Sequence, residues 1–462
     1  MPAITQEMAR SLDEVRHGWI PTSIYSDPAV FEEETRKLFT RTWQFLAHES
    51  ELPKNGDYVV RKLVNDSFIV ARGDDGKVRV FLNLCRHRGG QVCRNESGNT
   101  KRFLCPYHAW SYKTDGSLAG VPYHAEAYGG EEQLRKQDYG LHAPPHMQTF
   151  NGMIFVNLDP DAKPLDECIG DFKTYLEFYF PGTPRGVEVR GPQRWRFKGN
   201  WKIAAENFSG DTYHTPHTHA STGAIKLVGT AATSNRKAGI IYAAGGGAGA
   251  TFRLEPGTFA ERLRAVGYPD EQIEQLSQYL SPEMRNIIEK DGVLPSASTL
   301  FPNLSLLHIS ARIDDHGTVA PFTTARVWQP ISATETEIHS WFVVDKDATP
   351  EFKEKSYKAY IMCFGTSGMF EQDDMDAWVT LTRMTQGYMS GAVQLHSRMG
   401  LRNDDSPLNE PLKEFSGPGI AHIGFNEFNQ RRWLQSWADY LEMDVPAPPV
   451  RSSHAQFRQA AE

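Results

Sequence analysis

Two short cysteine–histidine pairs constrain this chain more than anything else in it. They are Cys85-Arg86-His87 and Cys105-Pro106-Tyr107-His108, with seventeen residues between them. Two thiolates and two imidazoles in close pairs are a metal-binding inventory, and the pairing decides between metals. A structural zinc site groups Cys with Cys and His with His, at spacings such as C-x₂₋₄-C and H-x₃₋₅-H. Here each pair is mixed, C-x-H and C-x₂-H. That suits a [2Fe–2S] centre in which two thiolates hold one iron and two imidazoles the other, a Rieske centre. Neutral imidazoles in place of anionic thiolates lift the potential to roughly −150 to +300 mV, so such a centre takes up electrons and hands them on. The competing reading is a zinc-stabilised binding protein without turnover.

The rest of the composition narrows the class. A length of 462 residues gives room for two to four domains. Asp plus Glu, 57, exceeds Lys plus Arg, 49, for a formal charge of −8. That balance argues against nucleic acid or an anionic membrane as the main partner. Five cysteines are too few for a disulfide framework. Beyond Cys85 and Cys105, the other three (Cys93, Cys168 and Cys363) read as buried thiols of a reducing compartment. Met1–Glu14 lacks a signal-peptide pattern, and no run of 18 apolar residues is present. The expectation is a cytoplasmic protein with no membrane span.

Along the chain, Asp27 and Pro28 open a helix. From Trp43 short β-branched runs follow, Asp57–Val60, Ser67–Arg72 and Val78–Leu84, separated by Asn, Gly and Asp turns. Both metal pairs fall just after such runs, at loop tips. Beyond residue 159 the pattern is α+β. Helices are expected at Phe172–Tyr179, Phe259–Val266, Asp270–Leu280, Pro282–Lys290 and Pro350–Phe364, with Asp270 and Ser281 as caps. Antiparallel strands are expected at Gln193–Lys198, Leu304–Ser310, Thr323–Trp328 and Glu337–Val344. Ala243–Ala250 contains three consecutive glycines and reads as a mobile loop. The domain expectation is 1–39 as an N-terminal helical segment of the catalytic domain, 40–158 as the Rieske domain, 159–445 as the catalytic domain, and 446–462 as a flexible tail.

A second constellation lies in Trp201–His219. On one continuous helix Asn207, Asp211 and His214 share a face, and the helix is expected to end or bulge near Pro216. His214 and His219 supply two imidazoles. A non-haem Fe(II) site uses two His and one carboxylate, leaving coordination positions open. The carboxylate must come from elsewhere, and Glu371-Gln372-Asp373-Asp374-Met375-Asp376 is the best source; spacing alone does not choose between Asp373 and Asp374.

With both constellations in one chain, the sequence resembles the large (α) subunit of an aromatic-ring-hydroxylating Rieske dioxygenase, of the naphthalene, biphenyl and polycyclic-aromatic type. The resemblance rests on Cys85-Arg86-His87-Arg88-Gly89-Gly90, Cys105-Pro106-Tyr107-His108-Ala109-Trp110, Asn200-Trp201-Lys202, Glu206-Asn207, Gly210-Asp211-Thr212-Tyr213-His214, Phe301-Pro302-Asn303 and Phe370-Glu371-Gln372-Asp373-Asp374. Two departures stand out. Ala109 occupies a position usually held by Gly, and His217 adds an imidazole between His214 and His219.

The resemblance implies an all-β Rieske [2Fe–2S] domain inserted in a catalytic domain built on an antiparallel sheet covered by helices. It implies Cys85, His87, Cys105 and His108 on the cluster, and His214, His219 and Asp374 on a mononuclear non-haem Fe(II). Asn207 is placed near the iron. Asp211 bridges His108 of one subunit and His214 of its neighbour in a head-to-tail trimer, α₃ or α₃β₃ with a small β subunit. Electrons come from NADH through a reductase and a ferredoxin, and both atoms of O₂ enter an aromatic ring as a cis-dihydrodiol. Phe208, Phe301, Leu307, Phe364, Met369 and Phe370 are the pocket candidates. Their apolar character leads to the expectation of an uncharged arene, because a carboxylate is costly to bury without a partner cation. The alternative is a Rieske oxygenase acting on an aromatic carboxylate, anchored by Lys226 or Arg312, or as a monooxygenase or demethylase.

Overall fold

The computed structural model describes residues 6–228, 239–243 and 247–443. They form two compact units: Phe39–Ala162, and Met1–Leu38 together with Lys163–Met443. The expected tail 446–462 lies outside the described residues.

The Phe39–Ala162 unit is built on three small antiparallel sheets. One has four strands in the order Val78–Leu82, Asp66–Arg72, Asp57–Leu63, Ser97–Asn99. The Asp66–Arg72 strand shows why this unit holds together. Its residues alternate sides, so Phe68 and Val70 enter one core with Leu46, Val59, Ile154 and Val156. Ile69 and Ala71 enter a second core with Phe81, Phe103, Trp110 and Tyr112, and that second core contains Cys85 and Cys105. The metal loops therefore grow out of a hydrophobic core rather than hang from it.

The larger unit has one eight-stranded antiparallel sheet. Its order is Val187–Phe197, Glu335–Asp345, Val319–Ser332, Leu304–Arg312, Val293–Leu300, Gly249–Leu254, Gly239–Ala243, Ile420–Ile423. Residues on either side of the glycine run, expected as a mobile loop, are paired strand instead: Ala243 lies opposite Gly249. Residues 244–246 lie outside the described residues. Pro350–Phe364 forms as expected, capped by the Thr349 hydroxyl, and Ser281 caps the Pro282–Asn286 helix. Asp270 is no cap. It starts its helix and pairs with Arg264 at 2.6 Å.

The N-terminal segment joins this unit through Glu34. Its buried carboxylate accepts from Trp201 Nε1, Lys202 Nζ and Trp437 Nε1 at 2.9, 2.6 and 2.8 Å. Trp201 and Lys202 open the helix Trp201–Gly210, so Glu34 fixes the base of the element that leads to the second constellation. That helix buries Trp201, Ala204, Ala205 and Phe208, a 3.6-residue stripe, and is capped by Asn200 Oδ1 accepting from Lys202 N–H.

Candidate metal centres

The two cysteine–histidine loops share one backbone pattern. In each, the cysteine carbonyl accepts from the N–H four residues on, Gly89 and Ala109, both at 3.0 Å. In each, the cysteine N–H donates to the carbonyl five residues on, Gly90 and Trp110, both at 2.8 Å. The fourth residue must take a left-handed conformation, φ 73° for Gly89 and 57° for Ala109. That is why glycine suits this position and why Ala109 carries strain.

The side chains fit an iron–sulfur cluster. Both cysteines are buried. The His87 and His108 rings approach to 4.4 Å between centroids, and His87 stacks on Trp110 at 5.0 Å. His87 Nδ1 is buried and has no hydrogen-bond partner among the described residues, as a ring nitrogen reserved for iron would be. Burial, aided by His108 and Arg88, lowers the His87 pKa, which favours the neutral imidazole a metal takes. A Cβ on Gly90 would meet Cys105 Sγ at 3.2 Å, so glycine leaves the room the sulfur needs. The Tyr112 hydroxyl lies 3.2 Å from Cys85 Sγ and braces the sulfur.

The second centre comes from two distant segments. The Trp201–Gly210 helix ends earlier than expected, at Gly210. Asp211 then caps a turn, its Oδ1 accepting from the N–H groups of Tyr213 and His214 at 3.0 and 3.1 Å. Asp side chains favour such turns over helix continuation. Asn207, Asp211 and His214 still meet, with Asn207 Nδ2 donating to Asp211 Oδ2 at 3.3 Å. The carboxylates arrive on Met369–Met384. Gly368 lets that helix fold back on Pro350–Phe364, because a Cβ there would lie 2.4 Å from Cys363 backbone atoms.

Three atoms converge. His214 Nε2 and His219 Nε2 are 3.2 Å apart, and Asp374 Oδ1 lies 3.4 and 3.1 Å from them. Asp374 Oδ1 is buried with no donor aligned on it, although both ring nitrogens are close. One carboxylate oxygen and two ring nitrogens, all within 4.8 Å of one another, can hold a single metal ion. Burial alone would raise the Asp374 pKa, but His214 and His219 hold it down to about 2. Burial disfavours charge on His214 as well, yet Asp211 and Asp374 hold its pKa up at about 10. The anionic surplus draws a cation, and a metal ion answers it as a proton does.

The other ring nitrogens are braced. Asp211 Oδ2 lies 3.3 Å from His214 Nδ1, and Asp373 Oδ2 lies 3.3 Å from His219 Nδ1. At these distances each aspartate can accept an Nδ1–H, the tautomer that leaves Nε2 for a metal. Asp373 and Asp374, inseparable by spacing, thus sit at opposite ends of His219. His217 is exposed and lies against Tyr213. Sequence reasoning missed a deeper support. Arg326 and Glu371 form a fully buried ion pair, Trp195 Nε1 donates to Glu371 at 3.2 Å, and Arg326 donates to the Phe364 carbonyl at 2.7 Å.

A cavity of about 530 Å³ opens beside the three ligands. Phe208, Leu307, Phe364 and Phe370 line it, with Phe364 stacked on Phe370 and Phe370 against His219. Two candidates are elsewhere. Phe301 packs on Trp433 and Tyr440, and Met369, which begins its helix half-buried, is not on the cavity wall. Neighbouring a motif in sequence does not set side-chain direction. Among the described residues no helix is long and apolar enough to cross a membrane.

Residues 42–151 match the family described as Rieske [2Fe-2S] domain, and residues 184–442 match the ring hydroxylating alpha subunit (catalytic domain). The N,N-dimethyl phenylurea N-demethylase subunit alpha of Sphingobium sp. (strain YBL2) is 34% identical over 93% of this chain and 92% of its own. The biphenyl 2,3-dioxygenase subunit alpha of Rhodococcus jostii (strain RHA1) is 32% identical over 97% and 95%. The crystal structure of naphthalene 1,2-dioxygenase from Rhodococcus sp. bound to indole matches with a TM-score of 0.88 and 37% identity, over 96% of this chain and 100% of that one. With both cofactor sites built and both domains matched, this chain belongs to the ring-hydroxylating oxygenase α-subunit family, whose cofactors are a Rieske [2Fe–2S] cluster and a mononuclear non-haem iron.

Proposed function

We propose that the chain is the terminal oxygenase of a multicomponent dioxygenase. It adds both atoms of O₂ to adjacent carbons of an aromatic ring. The overall balance is arene, O₂, NADH and a proton giving cis-dihydrodiol and NAD⁺, with electrons relayed through a reductase and a ferredoxin to the cluster. The observation that carries this reading is the convergence of His214, His219 and Asp374 on the wall of a cavity faced with Phe208, Leu307, Phe364 and Phe370. Ferrous iron, when bound, supplies the activation of O₂.

The residues supply positioning. Asp211 and Asp373 fix the tautomers of the two imidazoles, and Arg326 with Glu371 steadies the helix that presents Asp374. The aromatic wall keeps water from the reacting ring. Asp211 also serves as the bridge to His108 of a neighbouring subunit in an α₃ or α₃β₃ assembly. The imidazole edges of the cluster loops support such docking, since they emerge among the exposed Leu84, Leu104 and Tyr107.

The test is turnover under ¹⁸O₂ with reductase, ferredoxin and NADH. Two labelled oxygens on adjacent ring carbons are expected. The N-demethylase relative supports a second reading, oxidative loss of an N-methyl group. Formaldehyde with no ring diol, across arenes and N-methyl anilides, would establish it instead.

A further inference from the structure

The wall away from the triad carries charge that the iron chemistry does not use. Gly249 lies against Ser209 of the helix that leads to His214. Further along the same strand, Thr251 and Arg253 line the cavity, as do Leu307 and Ile309 two strands away. Two residues advance a strand by about 7 Å, so Arg253 stands roughly 13 Å beyond Gly249. Its side chain is 15% exposed. Its Nε and Nη2 atoms are buried. Glu255 Oε1 lies 2.7 Å from Nε and pairs with that edge of the guanidinium, leaving Nη2 without an acceptor among the described residues. Burial pulls the Arg253 pKa below its ordinary range despite Glu255.

Two more cations, Lys226 and Arg312, line the same cavity where it meets solvent, held near each other by Arg312 N–H donating to Leu227 carbonyl at 2.7 Å. Of the acids on the lining, Asp211 and Asp374 belong to the iron end. Glu255 is the remaining acid on the lining, and it pairs with Arg253.

We propose, on the basis of the ring-oxygenase reading above, that Arg253 anchors the substrate and that the enzyme takes arenes bearing a carboxylate. The Arg253 guanidinium donates to a carboxylate oxygen while the ring extends towards His214, His219 and Asp374. A guanidinium–carboxylate contact satisfies the buried donor, and a bare hydrocarbon leaves it unpaired. This reverses the expectation of an uncharged arene, which rested on the aromatic company of the iron motifs and not on the opposite wall.

The test uses the holoenzyme and calorimetric titration with 2-naphthoate, its methyl ester and naphthalene. Wild type should bind the acid at least about ten-fold more tightly than the ester, about 1.4 kcal/mol. Arg253→Gln should lose about ten-fold or more for the acid and less than about two-fold for the other two. Arg253→Lys should recover part of the loss. The visible spectrum and iron content report assembly. Ester bound as tightly as acid by wild type, a comparison that needs no variant, overturns the anchor; so does Arg253→Gln weakening all three alike. A diol from naphthalene with no preference for the acid refutes the anchor and spares the oxygenase reading. Arg253-dependent acid binding with no diol from any arene does the reverse.

Discussion

The two metal sites of this chain are built by opposite strategies. The cluster loops are local: each cysteine–histidine pair spans a few residues, and each loop closes with the same two backbone hydrogen bonds. The iron triad joins His214 and His219 to Asp374, 160 and 155 positions further on in the sequence. It needs a capping aspartate, a second aspartate, a glycine at a helix crossing and a buried ion pair to bring three atoms together. A site made of contiguous loops owes its geometry to the backbone. A site made of distant segments owes it to side chains behind the ligands.

That contrast can be broken most forcefully at the ligands. Replacing His214, His219 or Asp374 by Ala should abolish hydroxylation and mononuclear iron while the Rieske spectrum persists. His217→Ala should keep both. Cys85→Ser should bleach the visible absorption and leave the iron loaded. Collapse of both centres in any one variant would mean the sites are not independent.

Arg326→Met comes next. It strands a buried carboxylate, so it should cost about 3–5 kcal/mol in urea unfolding, and adding Glu371→Met should restore most of that. The cluster absorption before unfolding should not change. Asp373→Asn and Asp211→Asn should cost about 10–100-fold in iron affinity or activity, against outright loss for Asp374→Asn. For Asp211→Asn both metals should stay bound while single-turnover reoxidation of the cluster slows. Mixed assemblies of Cys85→Ser and His214→Ala subunits should regain activity if electrons cross between subunits. The smallest effect sharpens the local side of the comparison. Ala109→Gly should stabilise the loop by up to about 1 kcal/mol, read as a later loss of cluster absorbance in urea.

The same contrast explains what the sequence disclosed. Cys85, His87, Cys105 and His108 were legible because a loop of a few residues has few ways to point its side chains. The expected helices at Phe172–Tyr179 and Pro350–Phe364 were legible through their apolar pattern. Asp373 and Asp374 were not separable, because neighbours on a helix differ by a rotation that only the packed helix defines. The helix end at Gly210 was hidden by the continuing pattern of Asn207, Asp211 and His214. Arg253 carries one signal in the sequence. In Gly249–Leu254 the polar Thr251 and Arg253 share a parity, opposite to Ala250 and Phe252, which marks a face turned from the apolar core.

The antiparallel sheet behind the cavity has a consequence of a different kind. Its strands make a ruler: Thr251 and Arg253 are graduations about 7 Å apart, set by backbone pairing with Ile241 and Gly239 and not by rotamers. Exchanging a residue at one graduation would shorten or lengthen the molecule that fits without touching the iron's ligands. Substrate reach and oxygen chemistry can therefore vary independently in this scaffold, one along the strand and the other on the helices.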